Sequence, residues 1–417
     1  MISQSNTAPK ASELIQSKAV YNWYSLAEGF SGNYVADVFK RYSIRKPTRV
    51  LDPFAGAGTT LVTCKLLGIS GRGIDINPFL CFASKVKTRW DIDVEAFEAE
   101  SHKLIKELKD LFSGDEIPEP TIKAPAMPRL HRWVSPKVLR KLLLVKERIA
   151  RQRDQRIADL MKLAYSSILR PSSNMVLRPS SFGSRKVKQD APVTEMISTK
   201  LSTMIQDLKT IRAFVADDDI EILEGDAREL DTIADGEFQL SVFSPPYLNN
   251  LDYTMQTRLE LFFLDFVRQM EDVRNIRKRM IICDAKAGAY KDIHDSEFVK
   301  DSKDIMRLSE ALEEKLRGRK WGWNYPRMVT EYFGGMVRTL RALQRRMEKG
   351  GRVIIVVGES AHYGILVDAP RVIGTLGKKS GFTLEDIETL RYRRCSSHKF
   401  HLKEAAVILR KDAHFSQ

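Results

Sequence analysis

The sequence has 417 residues, 43% of them hydrophobic, and it carries a formal charge of +14 at pH 7. This length accommodates one large domain with insertions or a core with a second lobe, and the basic charge is compatible with a polyanionic partner. The four cysteines form no CxxC pair, which argues against a zinc site or a disulfide framework, and no apolar run is long enough to span a membrane. We therefore expect a soluble protein of the cytoplasm with no metal site and no membrane contact.

Residues 1–90 predict an N-terminal segment followed by a βαβ unit. Residues 20–44 predict a loop and then a helix. The segment "RVLDPFAGAGTTLVTCKLLG" at 49–68 predicts a strand, a glycine turn and a helix that ends at Gly68. A second strand and helix follow in "GRGIDINPFLCFASKVKT".

Residues 91–219 have a helical pattern and are rich in charge. The segment "RPSSNMVLRPSSFGSRKVK" at 170–188 contains five basic residues and no acidic one. Its serines, prolines and glycine predict a flexible or ligand-ordered loop. We interpret the region as a basic helical insertion.

The α/β pattern resumes in residues 220–417. Short apolar runs predict strands, the last two of them an antiparallel pair, at 220–224, 238–243, 352–357, 382–393 and 401–411. A second helical insertion interrupts them at about 257–348. The predicted fold class is α/β, with a Rossmann-like, mostly parallel sheet, an antiparallel C-terminal hairpin and two largely helical insertions.

The glycine turn and the next strand end favour a nucleoside ligand. Gly56 and Gly58 allow a tight turn at the start of a helix, close to a ligand. A dinucleotide-binding turn would need a third glycine where this chain has Leu61, and no phosphate-binding P-loop sequence is present. Asp75 ends the following strand, where an acid can accept hydrogen bonds from both ribose hydroxyls. Asp52 is placed to receive an amino group near the same turn.

The segment Ser244-Pro245-Pro246-Tyr247 follows the apolar run "FQLSVF". Each proline fixes φ and removes a backbone donor, and the residue before a proline favours extended geometry. These residues predict a rigid turn that presents a hydroxyl, free carbonyls and an aromatic ring. In parallel α/β sheets, ligands bind at this end of the strands.

Together, "LDPFAGAGTT" and "SPPY" resemble the S-adenosylmethionine-dependent DNA amino-methyltransferases, which modify cytosine N4 or adenine N6. The resemblance covers 20–90 and 220–260, and 350–410 loosely, but not the insertions. It implies a Rossmann-like methyltransferase sheet, S-adenosylmethionine as cofactor and a catalytic turn at 244–247. The cofactor-binding residues that it implies are Phe30, Ser31, Asp52, Phe54, Gly56, Gly58, Asp75 and Asp226.

The resemblance also implies a mechanism. The Ser244 hydroxyl and the Pro245 carbonyl would accept hydrogen bonds from the exocyclic amine, which then attacks the methyl group directly. Tyr247 would stack on the base, which has to flip out of the duplex. Serine at the first position of this turn favours cytosine N4. Adenine N6, an amine in structured RNA, and a DNA-recognition subunit with an idle site remain alternatives.

Double-stranded DNA is the expected partner. The first choice for its contact surface is the basic stretch containing Arg170, Arg178, Arg185, Lys186 and Lys188, because lysine and arginine neutralise phosphates. The basic segments 274–279 and 315–327 of the second insertion are the alternative surface. The chain shows no nuclease motif, so a restriction endonuclease of the same modification system would be a separate chain. The protein is expected to be associated with DNA in a prokaryotic cytoplasm.

Overall fold

The computed structural model describes residues 10–412 except 27–28, 115, 179–180, 185–186, 213–218, 287, 289, 321, 323 and 395–400. Eleven strands occur in the described residues: β1 (Arg49–Asp52), β2 (Ser70–Asp75), β3 (Met175–Arg178), β4 (Ser181–Ser184), β5 (Ile220–Glu224), β6 (Phe238–Phe243), β7 (Met347–Gly358), β8 (Ser360–His362), β9 (Ile365–Val367), β10 (Phe382–Arg394) and β11 (His401–Lys411). Seven of them form one sheet in the order β10-β11-β7-β6-β1-β2-β5, and β3-β4 and β8-β9 form two separate hairpins.

The central sheet is mostly parallel. Strand β1 pairs in parallel with β2 and β6, β2 with β5, and β6 with β7. Strand β11 runs antiparallel to both β7 and β10. The buried residues of β6 and β7 form nearly continuous apolar runs, as expected for strands covered on both faces. The predicted fold class, an α/β fold with a mostly parallel sheet and an antiparallel C-terminal hairpin, is confirmed.

Helices cover both faces of the sheet. The α-helices of the described residues are α1 (Ala11–Ser17), α2 (Gly32–Arg41), α3 (Thr59–Leu66), α4 (Pro78–Thr88), α5 (Val94–Phe112), α6 (Leu130–Trp133), α7 (Pro136–Ile149), α8 (Gln155–Ser172), α9 (Val193–Ile211), α10 (Tyr253–Gln256), α11 (Arg258–Phe263), α12 (Met270–Lys278), α13 (Lys303–Leu316), α14 (Tyr325–Arg346) and α15 (Ala369–Lys379). Short 3₁₀ helices occupy Tyr21–Trp23 and Asp295–Val299.

Two main hydrophobic clusters hold these layers together. In the first, side chains of the N-terminal segment and α4 pack with those of α5, α7, α8, α9 and α11. In the second, residues of the sheet pack with α13, α14 and α15. The helices of 91–219 therefore share a hydrophobic core with the N-terminal segment, α4 and α11. No helix among the described residues is both long and apolar enough to cross a membrane.

The prediction of a loop at 170–188 is wrong for most of these residues. Helix α8 continues to Ser172, and β3 then pairs with β4 in an antiparallel hairpin. Strand β7 also begins at Met347, five residues before the predicted start, because Met347 pairs with Phe238 of β6.

Candidate active site at the carboxyl edge of the sheet

A cavity of about 440 Å³ lies at the carboxyl ends of β1, β2, β5 and β6. It brings together nearly all the residues predicted for the cofactor site and the catalytic turn: Phe30, Ser31, Asp52, Phe54, Gly56, Asp75, Asp226, Ser244, Pro245, Pro246 and Tyr247. Gly58 is the member of the predicted set that does not line the cavity. The parallel strands thus place two motifs that are far apart in sequence around one space.

The two glycines of the turn have different roles. Gly56 lines the cavity with a φ of 52°, which glycine adopts without strain. Gly58 precedes α3 with a φ of 82° and packs against α4. A Cβ atom at Gly58 would collide with the Ser84 hydroxyl oxygen. Gly58 therefore allows α3 and α4 to approach each other, while Gly56 allows the backbone to border the cavity.

Asp52 and Asp75 hold the glycine turn through backbone hydrogen bonds. Asp75 accepts from the Gly56 amide at 2.8 Å with one oxygen and from the Asn77 amide at 2.9 Å with the other. Asp52 accepts from the Phe54 amide at 3.0 Å. Burial raises the pKa of Asp52 to about 7 and that of Asp75 to about 6, although the backbone hydrogen bonds oppose the shift. A carboxylate has about four acceptor sites, so both groups retain acceptor capacity for a ligand.

Asp226 lines the cavity but already has a strong partner. Its carboxylate forms an ion pair with the Arg228 guanidinium at 2.6 Å, and Arg228 also contacts Asp295 at 2.6 Å. Arg338 binds the other oxygen of Asp295 at 2.7 Å. Asp226, which is predicted to contact the cofactor, is therefore part of a largely buried charge network. In the sequence, this network is indicated by Arg228, two positions after Asp226.

Hydrogen bonds to α10 and β11 hold Tyr247, the last residue of the Ser244–Tyr247 turn. The Tyr247 hydroxyl donates to Glu404 at 2.8 Å, and the Tyr247 amide donates to the Tyr253 hydroxyl at 3.1 Å. The Ser244 side chain lines the same cavity as this phenol. Burial is the main reason why the pKa of Tyr247 lies well above its ordinary value, with the nearby Glu404 charge adding to it. The phenol is therefore neutral.

The ring of Tyr247 is more enclosed than the sequence predicted. The side chain is only 5% exposed, and the Arg393 guanidinium carbon lies 5.3 Å from the ring centre. Arg393 lies on β10, and Glu404 on β11 also accepts from Arg391 of β10. The C-terminal hairpin thus supports the turn, and the predicted stacking face is bordered by a cation.

Two further cavity residues were not predicted from the sequence. Lys87 is 1% exposed, and its ammonium donates to the carbonyls of Tyr21, Tyr24 and Ala57 at 3.2, 3.1 and 2.6 Å. Burial lowers its pKa to about 7. Gln256 is 4% exposed, and its amide oxygen has no hydrogen-bond partner among the described residues. Lys87 fixes the N-terminal segment against the glycine turn, and Gln256 offers a buried acceptor.

The structure locates three of the five residues that are predicted to contact DNA. Arg170 and Lys188 line a second cavity of about 460 Å³. Arg178 is the last residue of β3. Arg185 and Lys186 lie outside the described residues.

No protein-family model matches the chain. It is 26% identical to the type II methyltransferase M.BsoBI of Geobacillus stearothermophilus over 95% of this chain and 85% of that protein. It is 25% identical to the type II methyltransferase M.AvaI of Anabaena variabilis over 90% of this chain and 81% of that protein. A segment covering 10% of the chain is 52% identical to 8% of the type II methyltransferase M.MjaII of Methanocaldococcus jannaschii.

Similarities to solved structures are weaker. A SAM-dependent methyltransferase of Methanosarcina mazei is 8% identical, with a TM-score of 0.32 over 90% of this chain and 98% of that one. A putative DNA modification methylase of Thermus thermophilus is 16% identical, with a TM-score of 0.23 over 46% of this chain and 54% of that one. The sequence relation is the informative one: this chain is a homologue, at modest identity and along nearly its whole length, of type II methyltransferases.

Proposed function

We propose that this protein is a DNA methyltransferase that transfers a methyl group from S-adenosylmethionine to the exocyclic N4 amine of cytosine in double-stranded DNA. One observation carries the proposal: the Ser244–Tyr247 turn lines the same cavity as Asp52, Gly56 and Asp75. The similarity to type II methyltransferases supports the activity and the cofactor. Their meeting in one cavity supports transfer from a cofactor at the glycine turn to a base at the Ser244–Tyr247 turn.

The cavity has the chemical groups that S-adenosylmethionine needs. Asp75 retains acceptor sites for two ribose hydroxyls, and Asp52 offers a carboxylate to an amino group. The unpartnered oxygen of Gln256 is a buried acceptor that a ligand donor would satisfy, and such an orphan costs about 1–3 kcal/mol when left unpaired. When bound, the cofactor supplies an electrophilic methyl group on a positively charged sulfur.

The turn acts on the amine. An aromatic exocyclic amine is a weak nucleophile because its lone pair is delocalised into the ring. The Ser244 hydroxyl lines the cavity, and the lone pairs of its oxygen can accept a hydrogen bond from the amine. The Pro245 carbonyl is the second acceptor, and the two prolines hold both groups in place before the substrate arrives. Hydrogen bonding of this kind draws the nitrogen towards tetrahedral geometry and frees the lone pair for direct attack.

The base has to leave the duplex to reach this turn. An amine inside paired DNA is inaccessible, and flipping costs a few kcal/mol of stacking and pairing. The Tyr247 ring, held by Glu404 and bordered by Arg393, forms a rigid wall beside which the base can be captured. Serine in place of aspartate or asparagine at the first position favours cytosine over adenine in the family that the turn resembles.

Nucleoside analysis tests the proposal directly. Genomic DNA from cells that express the wild-type protein, the Ser244→Ala variant or neither is digested and analysed by mass spectrometry. We expect N4-methylcytosine with the wild type and a strong reduction with Ser244→Ala. N6-methyladenine in its place would refute the choice of base, and the absence of both modifications would refute DNA amine methylation.

A further inference from the structure

The second cavity shares a wall with the candidate active site. Asn22, Tyr24 and Ser25 line both cavities. The other walls of the second cavity come from the end of α8, from β3, α9 and α11, and from the segment after β4. Its volume of about 460 Å³ is within the range of sites for small organic groups. The space is therefore large enough for a nucleotide and adjoins the site where the base would react.

Positive charge predominates in this cavity. Arg170, Lys188 and Lys200 line it, and Glu260 is the single acidic residue among its described walls. The Lys188 ammonium donates to the Pro171 carbonyl at 2.5 Å, and the Lys200 ammonium donates to the Asn22 carbonyl at 2.7 Å. The Arg170 guanidinium makes no hydrogen bond or ion pair with any residue that the structure describes. Within that part of the chain no carboxylate neutralises any of the three cations by direct contact, so the cavity favours an anion.

Glu260 opposes this preference to an extent that depends on pH. It is 2% exposed and accepts a hydrogen bond from the Tyr24 hydroxyl at 3.0 Å. Burial raises its pKa to about 7, and the charge of Arg170 opposes the rise. The groups that act on it are Tyr24 from the N-terminal segment and Arg170 from α8, and Lys200 from α9 and Lys188 from the segment after β4 line the same cavity. The carboxyl is thus largely neutral at about pH 6 and largely charged at about pH 8.

We propose that this cavity binds a backbone phosphate of the DNA strand that carries the methylated base, with Arg170 and Lys188 as its direct contacts. The proposal rests on the proposed function, because a nucleotide that flips into the candidate active site brings its neighbouring phosphates to the adjoining walls. Arginine and lysine supply the salt-sensitive part of affinity for DNA. Glu260 lowers the affinity whenever it is ionised.

Fluorescence anisotropy with a labelled duplex, measured at several salt concentrations, tests this proposal. We expect Arg170→Met to weaken binding about tenfold or more, as for the removal of one hydrogen bond to a charged group. The slope of log affinity against log salt should become shallower by about 0.9 for each phosphate that the variant no longer neutralises. The matched control is Lys106→Met, which removes the same charge from an exposed position on α5 and should leave affinity within about twofold.

Glu260→Gln provides a test of the opposite sign. The amide oxygen of glutamine can still accept from Tyr24, so the fold is retained while the negative charge is removed. We expect this variant to bind the duplex several-fold more tightly than the wild type at pH 8 and equally well at pH 6. A variant that merely damages the structure would not tighten binding.

The outcomes separate this proposal from the function on which it rests. Equal affinity of Arg170→Met and Lys106→Met, or weaker binding by Glu260→Gln at pH 8, would overturn the phosphate site while methylation of DNA by the wild type stands. If deoxycytidine monophosphate binds the wild type as tightly as the duplex does and displaces the duplex, the cavity is a site for free nucleotides instead. A wild-type protein that binds and methylates no DNA would overturn both.

Discussion

Replacing Tyr247 with phenylalanine tests how the catalytic turn is held. If only the ring mattered, for stacking, this change would be mild. The structure gives the hydroxyl a role of its own, because it donates to Glu404 at 2.8 Å. Phenylalanine keeps the ring and removes this hydrogen bond. We therefore expect losses in stability and in methyl transfer, with little change in capture of the base.

The size of each loss follows from the free energy that the lost hydrogen bond contributes. A hydrogen bond to a charged group contributes about 1.5–3 kcal/mol. Glu404 is 6% exposed, so water cannot fully replace the phenol, but Arg391 still binds its carboxylate. We expect the free energy of unfolding to fall by about 1.5–2 kcal/mol. The turn that carries Ser244 is then held less firmly, and we expect a loss of about 0.5–1.5 kcal/mol in the transition state, which lowers the transfer rate about two- to tenfold.

Urea unfolding followed by tryptophan fluorescence measures the first loss, and single-turnover methylation of a duplex measures the second. The matched control is Tyr392→Phe on β10, a tyrosine that is 67% exposed. Exposed substitutions of this kind change stability by no more than about 0.5 kcal/mol. A fluorescent base analogue at the target position reports flipping separately from transfer.

Equal stability of Tyr247→Phe and Tyr392→Phe would show that the bond to Glu404 contributes nothing to the fold. An unchanged transfer rate would show that the bond to Glu404 does not position the turn for methyl transfer. Either result would contradict the role of the C-terminal hairpin in supporting the turn.

Three further predictions concern the cavity. Asp75→Ala should weaken S-adenosylmethionine binding by about 1–3 kcal/mol in calorimetry, because the carboxylate that would accept the ribose hydroxyls is absent. Ser244→Ala should retain the dissociation constants for cofactor and DNA but lower kcat in single-turnover methylation, since its hydrogen bond strengthens only as the amine reacts. The pKa values of Asp52, about 7, and Asp75, about 6, lie above the usual aspartate value. The protonated carboxyls therefore stabilise the free folded protein at low pH. This contribution to the free energy of unfolding is lost as pH rises through 6 and 7. Cofactor binding needs the ionised forms, so the increase in Tm caused by the cofactor should grow between about pH 5.5 and 7.5.

Each of these predictions has a result that would contradict it. Unchanged affinity in a folded Asp75→Ala protein would remove Asp75 from the cofactor site. A normal transfer rate in Ser244→Ala would leave the turn as a simple strand ending. For the pH dependence, Asp52→Asn is the control and should lose the upper part of the rise; the same dependence in this variant would exclude Asp52 as its source.

The sequence by itself determined the parts of the protein that local signals encode. Short apolar runs bounded by glycine and proline signals predicted β5 and β6 with the bounds that the structure has. The class of fold followed from the order of these runs. The resemblance to the amino-methyltransferases also implied that Asp52, Asp75 and the Ser244–Tyr247 turn belong to one enzyme site, and one cavity contains them all.

Only the tertiary structure decided which groups hold those residues. Glu404 lies 157 positions from Tyr247, and the antiparallel register that places it opposite Gly358 of β7 brings it to the turn. Lys87 reaches three carbonyls of two separate segments for the same reason. The hairpin of β3 and β4 formed where the sequence indicated a loop, because pairing of two four-residue segments leaves little local signal. Partners that are distant in sequence depend on strand order, register and helix packing, and a local pattern of residues does not encode these.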